Sequence, residues 1–396
     1  MISRAERLMP SVRQVRGHGA RVLRTLHELD ELAGPWNTIG EEIGLPTVSH
    51  AWVRACAAAF VDPDKLAVTV VRTPNAVAMA PLVNRDDGVS RLELLGVDEI
   101  GDPSDLVTTD ASALARLADA LAHTGRPLHL MRIPAESPTV AALRRAYRGK
   151  GIVITRAHAD YPWIPLDDRW SCPESWLNAG RRSDVRRARR RAGRLGSLRI
   201  DMLSPTPGEL APLLEEAFWV EASGWKGRRG SAVLDDAARR TFFERYAFAA
   251  AARGTLRLGF LRIGGRAAAM QLGVESGDRF WLLKIGYDEA YRRCSPGMLL
   301  MIESLRYAAA RGLRTYELLG TVEPWTSMWT SKTRACVSVR AYPASAHGIA
   351  ALLAEGFKIG RRKLPSLARR ALESALARGD RQGSAPNDPD TVVPAR

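Results

Sequence analysis

Two stretches of this chain repeat one pattern of apolar residues, glycines and acids at a constant spacing of 190 residues. The apolar segment 66–72 aligns with 256–262, and the run Gly96-Val-Asp98 aligns with Gly286-Tyr-Asp288. Apolar residues alone often match by chance, but glycines and acids rarely match in one register. A repeat of this length indicates a duplicated structural unit, so the sequence predicts two similar domains in tandem.

Each copy predicts the same order of elements: a helix, three strands joined by tight turns, a second helix and a further strand. Gly264 and Gly265 suit a two-residue hairpin turn, because glycine readily adopts positive φ. The strand predicted at 279–287 has apolar residues on both faces, which indicates a central strand. The predicted fold class is therefore α/β with mixed sheets, built twice. The predicted helices cover 49–61, 112–123, 234–253 and 296–311, and the last strands cover 127–133 and 313–319.

Composition narrows the class of protein. The chain has 396 residues, enough for two to three ordinary domains, and 46% of them are hydrophobic. No apolar run reaches the roughly 18 residues of a membrane span, and arginines interrupt the first 25 residues, so no secretory signal is predicted. Four widely spaced cysteines predict a cytoplasmic protein without a metal site. The net charge of +15 fits an anionic cofactor or acceptor, nucleic acid or a membrane surface.

The two copies differ between the third strand and the helix that follows it. In the second copy, this segment contains arginines and small residues, namely Arg292, Arg293, Ser295, Pro296, Gly297 and Met298. A helix start presents free backbone N–H groups to a pyrophosphate, and Gly297 lets the ligand approach closely. The first copy has the acidic segment 100–105 there. The alternative is an ordinary serine-capped helix start with solvated arginines, but the flanking strands favour the phosphate site.

The pattern Arg292-x-x-Ser295-x-Gly297 resembles the acyl-CoA loop of the Gcn5-related N-acyltransferase (GNAT) superfamily, Arg/Gln-x-x-Gly-x-Gly/Ala, with serine at the middle glycine. About residues 25–345 are similar to the CelD/BioF2-like acetyltransferases, and Fem-type aminoacyltransferases share the double plan. The resemblance implies two tandem GNAT-like domains and acyl-CoA, such as acetyl-CoA, as co-substrate. Relatives often carry a Tyr-Lys pair after the last strand. This chain has the sequence Glu-Pro-Trp-Thr-Ser-Met-Trp at 323–329 instead, and Lys332 is the nearest lysine.

Three residues are candidates for the acyl-transfer chemistry. Glu221, at the end of a predicted helix, is a candidate general base, and its alternative role is an exposed helix carboxylate. Lys226, in the basic loop that follows, is a candidate to bind an anionic acceptor or stabilise an oxyanion. Tyr287 is a candidate proton donor to the departing thiolate, or a core residue. Trp225 and Trp325 are expected at the acceptor site.

Residues 180–199 contain nine arginines and a single acid, Asp184. The arginines predicted to share one helical face are Arg182, Arg186, Arg189 and Arg190. Candidate ligands for this face are CoA phosphates, a nucleotide-sugar or lipid diphosphate, or tRNA, and the alternative is a solvated face. No aromatic residue is interleaved, which argues against single-stranded nucleic acid.

The predicted organisation has four parts. Residues 1–20 form a disordered basic N-terminus, 21–165 a first GNAT-like domain without a donor signature, and 166–345 a second GNAT domain with the acyl-CoA site. Residues 346–396 form a basic helical appendage and a disordered tail, and the appendage is a candidate for peripheral contact with the inner face of a membrane.

Three functions follow as hypotheses. The first is N-acyl transfer from acyl-CoA to an amine, such as an amino sugar of a surface polysaccharide or a lipid-linked envelope precursor. The second is a Fem-like aminoacyltransferase that uses aminoacyl-tRNA. The third is a non-catalytic module that binds an anionic glycan or a membrane. The sequence leaves the oligomeric state open.

Overall fold

The computed structural model describes residues 19–86, 88–228, 230 and 232–357, without the side chains of Trp225 and Lys226. The strands are β1 (Ala20–Leu23), β2 (Val68–Arg72), β3 (Val77–Ala80), β4 (Leu82–Arg85), β5 (Arg91–Leu94), β6 (Leu128–Pro134), β7 (Gly151–Pro165), β8 (Leu198–Leu203), β9 (Leu256–Ile263), β10 (Arg266–Ser276), β11 (Arg279–Tyr287), β12 (Thr315–Glu317) and β13 (Thr333–Pro343). The helices are α1 (Leu26–Asp30), α2 (Ala33–Ile43), α3 (His50–Phe60), α4 (Val97–Ile100), α5 (Ala111–His123), α6 (Pro138–Ala146), α7 (Ala179–Leu195), α8 (Pro207–Ala222), α9 (Trp225–Arg228), α10 (Ala237–Ala252) and α11 (Pro296–Ala310). Residues 346–357 are also helical.

Most of the strands form one long mixed sheet in the order β4-β5-β6-β13-β7-β12-β11-β10-β9-β8, and β1, β2 and β3 form a smaller sheet. Pro81 lies between β3 and β4, at the point where the chain passes from the small sheet to the large one. Proline cannot donate a ladder hydrogen bond, so it interrupts what is a single strand, β10, in the other half of the chain.

The predicted duplication is present in the topology. In the first copy β5 runs parallel to β6 with α5 between them, and in the second copy β11 runs parallel to β12 with α11 between them. Backbone conformation repeats as well: Gly125 and Gly312, 187 residues apart, both have positive φ. Arg132 and Leu319 have the same spacing and the same left-handed backbone, with φ of 54° and 55°. The two halves are therefore two versions of one α/β fold.

The two copies are packed together and share strands. The long strand β7 pairs with β12 of the second copy, and β13 inserts between β6 and β7. Trp52 of α3 and Phe242 of α10, which align in the repeat, contact each other with ring centroids 4.8 Å apart. One hydrophobic core contains residues of both copies. This shared core holds the first copy against the second, close to the last residues of β11.

The sequence located the main elements to within a few residues, as the bounds of α3, α5, α10 and α11 show. Gly264 and Gly265 have φ of 58° and 83°, as the hairpin prediction requires. In β11, Phe280 packs in one core cluster and Trp281 in another, so this part of the strand is covered on both faces. Its last residues are only partly buried.

The predicted boundary at 165/166 falls at the end of β7 and stays a prediction, because β7 and β13 join the two halves in one sheet. Of the predicted disordered N-terminus, 1–20, residues 1–18 lie outside the described residues, but Ala20 begins β1, so the prediction is wrong at its end. The part of the predicted appendage and tail over 358–396 also lies outside the described residues. The first part of the predicted C-terminal appendage, 346–357, is helical and carries three exposed apolar side chains on one face: Ile349, Leu353 and Phe357.

Candidate functional site

A cavity forms where two neighbouring strands separate. β11 pairs with β12 only through Arg279–Trp281, and β11 then continues to Tyr287. After β12 the chain turns away through the left-handed residues Leu319 and Gly320. The gap encloses about 460 Å³, with Met270 and Gln271 of β10 among the residues that line it.

The beginning of α11 borders this cavity. Gly297 and Met298 line it, and Pro296 occupies the first helical position. Ser295 immediately before the helix has φ 44° and its side chain makes no capping hydrogen bond. The first N–H groups of α11 therefore have no side-chain cap, which is the arrangement that binds an anion at a helix start.

Two predicted phosphate-binding arginines lie on the outside of the same turn. Arg292 and Arg293 are exposed on a short 3-10 helix, Glu289–Cys294, that leads into α11. Asp288 caps this helix by accepting a hydrogen bond from the Ala290 N–H at 2.9 Å. Arg191 of α7 donates to the Arg293 carbonyl oxygen at 3.1 Å, which brings one end of the basic helix to this turn.

Glu221 lies at the wall of the cavity and only 1% of its surface is exposed, so it is not an exposed helix carboxylate. Its Oε2 accepts a hydrogen bond from the Val233 N–H at 2.8 Å, and its Oε1 accepts one from Lys284 Nζ at 3.2 Å. A Cβ at Gly286 would lie 2.6 Å from the Glu221 Cα. Glycine at 286 therefore lets α8 pack directly against β11, which puts the carboxylate at the site.

Other predicted side chains meet in the same space. Tyr287 and Trp325 both line the cavity, and Trp325 Nε1 donates to Glu323 at 2.8 Å. Gln271 is 3% exposed, and its Oε1 has no hydrogen-bond partner among the described residues. A buried acceptor at a cavity wall is costly unless a ligand or water donates to it.

A second, smaller pocket of about 200 Å³ lies between the two copies and adjoins the cavity. The first copy contributes Glu99 and Asp102, while Phe243 and Lys284 come from the second. The residues common to both spaces are Ile285, Leu318, Gly320 and Trp325. Desolvation raises the pKa of Asp102 to about 6, although Arg132 and Lys284 nearby lower it.

The predicted arginine face does not converge on either pocket. Arg182 donates to the Leu177 carbonyl at 2.6 Å, and Arg189 pairs with Glu174 at 2.9 Å. Arg186 and Arg190 are exposed on α7. Of the described residues that line the two pockets, none is one of these four arginines.

Trp225 and Lys226 lie in α9, but their side chains are outside what the structure describes. The same short helix is tied to the turn before α11, because Arg228 Nη2 donates to Glu289 Oε1 at 2.6 Å. The loop after α8 therefore contacts the predicted phosphate turn.

Sequence reasoning missed Lys284 and Asp102. Lys284 is a single charge within the otherwise apolar centre of β11, and such a residue signals either a buried ion pair or a site. Asp102 gave no signal beyond the acidity of its loop, because its role depends on how the two copies pack.

Neither metal ligands nor membrane spans are evident in the described part of the chain. It holds no group of three or more His, Cys, Asp or Glu residues placed to bind a metal ion. Within the same ranges, no helix combines the length and the apolar character needed to cross a membrane.

Comparison with known proteins supports the fold class. Residues 179–327 match the family model described as acetyltransferase (GNAT) domain. No curated protein matches the chain significantly. Among solved structures, the C-terminal domain of an Agrobacterium fabrum protein described as a lysylphosphatidylglycerol synthetase is 12% identical, with a TM-score of 0.52 over 84% of this chain and 96% of that one. A Bacteroides thetaiotaomicron protein of unknown function is 13% identical, with a TM-score of 0.50 over 81% of this chain and 98% of that one. At such identities the two structures are similar in fold alone.

Proposed function

We propose, from the premise that residues 179–327 are a GNAT acetyltransferase domain, that this acyltransferase uses acyl-CoA, in the first instance acetyl-CoA, to acylate an amine. One observation carries the proposal: the cavity between β11 and the end of β12 opens at a helix start without a side-chain cap. The helix N–H groups suit the diphosphate of CoA, and Arg292 and Arg293 stand beside them.

The cavity also suits the rest of the donor. Its lining is largely apolar, with Met270, Met301 and Met328 among the residues, and methionines adapt to flexible chains. Gln271 Oε1 provides a buried acceptor that lacks a partner among the described atoms, and the amide N–H groups of a pantetheine arm would satisfy it. When bound, the thioester supplies an activated acyl carbon.

The chain's own residues then have distinct tasks. Glu221, held by Lys284 and the Val233 N–H, is the candidate proton acceptor for the attacking amine, directly or through water. Tyr287 at the end of β11 is the candidate donor of a proton to the departing thiolate. Lys226 remains a candidate for stabilising the oxyanion, and Trp225 and Trp325 for contacting the acceptor.

For the acceptor we propose an amino sugar of a surface polysaccharide or a lipid-linked precursor. The pocket between the copies is small enough for a single ring, and Trp325 and Phe243 offer aromatic walls. The exposed apolar residues Ile349 and Leu353, followed in sequence by the basic 358–363 segment, support contact with an anionic membrane surface.

The arginine-rich helix α7 favours a second candidate function, that of a Fem-like aminoacyltransferase. Arg186 and Arg190 are exposed on this helix, and an arginine-rich face favours the aminoacyl-tRNA of a Fem-like transferase. A non-catalytic module would need neither donor.

Ligand-dependent stabilisation separates these functions. CoA at a hundredfold excess over its Kd is expected to stabilise the protein by about 2.7 kcal/mol, measured as a higher melting temperature. Aminoacyl-tRNA would do so under the second function, and neither ligand under the third. Absence of any response to CoA would contradict the acyl-CoA proposal.

A pair of variants locates the donor. Gly297→Leu places a side chain at the cavity wall, where an added Cβ meets only the Tyr287 ring at 3.8 Å, so the fold should tolerate it. This variant is expected to lose the response to CoA. Gly208→Leu is the matched control, because α8 also begins with Pro-Gly and nothing lies within 4 Å of a Cβ there. It should retain the full response.

A further inference from the structure

The pocket between the copies has walls of opposite chemical character. Glu99 and Asp102, from the first copy, are acidic. The second copy contributes the apolar Phe243, Leu282 and Ile285 and the basic Arg239 and Lys284. Glu99 is paired with Arg85. Asp102 lies near the basic side chains of Arg132 and Lys284 and the backbone N–H of Gly320, each of which favours its ionised form.

The first copy holds Asp102 in place from both sides of its loop. Thr47 Oγ1 donates to the Pro103 carbonyl at 2.5 Å, and the Ser104 N–H donates to the Arg132 carbonyl at 3.2 Å. Ser104 is 3% exposed, so the loop is packed into the protein rather than lying on its surface. Asp102 itself keeps part of its surface open, and it lines the pocket.

The electrostatics of Asp102 favour a cation in this pocket. Surrounding protein atoms desolvate the carboxyl group and raise its pKa to about 6, so it is ionised at neutral pH at a cost in solvation free energy. Of the basic residues that line the pocket, Lys284 already donates to Glu221 at 3.2 Å, and Arg239 is paired with Asp236 at 3.3 Å. Arg132 Nη2 donates to the Gly320 carbonyl at 2.8 Å. An added ammonium group in the pocket would stabilise the ionised carboxylate.

The pocket is also on the correct side of the donor cavity. Ile285, Leu318 and Gly320 line both spaces, so a group bound in the pocket faces the end of the cavity. Lys284 lines the pocket, while its ion-pair partner Glu221 lines the cavity. An amine held at Asp102 would therefore stand next to the candidate base.

We propose that Asp102, supplied by the copy that has no donor signature, binds the ammonium group of the acceptor and makes this pocket selective for a cationic primary amine on a ring-sized carrier. The inference rests on the proposed function and adds the acceptor-binding residue to it. The first copy then has a binding role: its acidic loop completes the acceptor site of the second.

The test uses the full-length protein saturated with CoA, with glucosamine as the amine and glucose as the same ring without the ammonium group. Glucosamine is expected to raise the melting temperature of the wild type and glucose is not. Asp102→Asn should abolish that difference. With acetyl-CoA, it should reduce kcat/KM for glucosamine, followed by thiol release, at least tenfold while leaving the Kd for CoA unchanged.

Asp105→Asn is the matched control. Desolvation also raises the pKa of Asp105 to about 6, but its carboxylate accepts hydrogen bonds from Thr139 Oγ1 at 2.6 Å and the Leu106 N–H at 2.7 Å. Among the described residues, those that line the pocket between the copies do not include Asp105. This variant should keep the glucosamine response, even where it lowers the melting temperature.

Three results would overturn the proposal: equal responses of the wild type to glucosamine and glucose, an unchanged response in Asp102→Asn, or equal losses in the two variants. The donor assignment fails separately, because it predicts CoA binding by the wild type whatever the amine does. A wild type that binds CoA but ignores the Asp102 substitution contradicts only the acceptor site.

Discussion

The two copies share one topology but differ in the connection that leads from the third strand to the following long helix. In the first copy, the loop after β5 returns into the structure, where Ser104 hydrogen-bonds to Arg132 of β6 and Val107 to Met79 of β3. In the second copy, a short 3-10 helix leads straight into α11, and the gap beside β12 remains as the cavity. The connection after the third strand is therefore long and folded back in the first copy, whereas it is short and borders a cavity in the second.

The helix starts differ in the same sense. Asp110 caps α5 by accepting a hydrogen bond from the Ala113 N–H at 2.7 Å, so a carboxylate of the protein occupies that helix start. Ser295 makes no such bond before α11. A negative charge at a helix start is favourable whatever its source. The first copy supplies that charge itself, and the second leaves the position to a ligand.

The largest expected effect comes from giving the second copy the first copy's residue at the buried ion pair. Lys284 aligns with Leu94, so Lys284→Leu makes β11 resemble β5. The change removes the ammonium group from the Glu221 carboxylate, whose side chain is 1% exposed. We expect a loss of about 3–5 kcal/mol in the free energy of unfolding, measured by urea titration.

The double variant Glu221→Gln/Lys284→Leu is the control, because it removes both charges. It should recover most of the lost stability, since replacing a buried pair as a whole is often close to neutral. A cost below about 1 kcal/mol for the single change would mean that water reaches the carboxylate and that the pair is not truly buried.

A smaller effect, on affinity rather than stability, is expected from putting the first copy's acidic cap into the second. Ser295→Asp places a carboxylate at the start of α11, as Asp110 does at α5. The charge would compete with the CoA diphosphate for the helix N–H groups. We expect roughly 10–100-fold weaker CoA binding by calorimetry, corresponding to about 1.5–3 kcal/mol for hydrogen bonds to a charged group.

Ser295→Asn separates charge from shape. Asparagine has nearly the same size as aspartate and tolerates left-handed backbone. The Ser295→Asn variant should therefore bind CoA within a few-fold of the wild type. Equal losses in both variants would show that bulk at this position, and not the charge, weakens binding.

The sequence predicted what depends on local pattern. The repeat, the hairpin at Gly264-Gly265 and the helix start at Pro296 follow from spacing and residue type alone. Glu221 and Tyr287 were expected near the donor, and both line the cavity. These features could be predicted because each depends on residues that are close together in the sequence.

What the sequence did not predict depends on how the copies meet. The arginines of α7 share a helix, but Arg182 and Arg189 bind Leu177 and Glu174, away from the cavity. Asp102 enters the second copy's site only because a common core fixes the two copies side by side. A pairing between distant segments leaves no periodic trace in one sequence, so neither the arginines' partners nor this acid followed from it.

The smallest expected effect compares two Ser-Pro helix starts, one in each copy. Ser137 before α6 has φ −62° and its side chain accepts a hydrogen bond from the Thr139 N–H, whereas Ser295 has φ 44° and makes no capping bond. Left-handed backbone costs a non-glycine residue roughly 1–2 kcal/mol, and a glycine would remove this cost. Part of the stabilisation is lost again, because glycine has more conformational freedom in the unfolded chain. Ser295→Gly should therefore raise the free energy of unfolding by about 0.5–1 kcal/mol, while Ser137→Gly should lower it by a few tenths or more. Urea titrations of both variants measure the difference. Changes of the same sign would mean that the backbone at Ser295 relaxes in solution, and that the start of α11 is no more strained than its counterpart in the first copy.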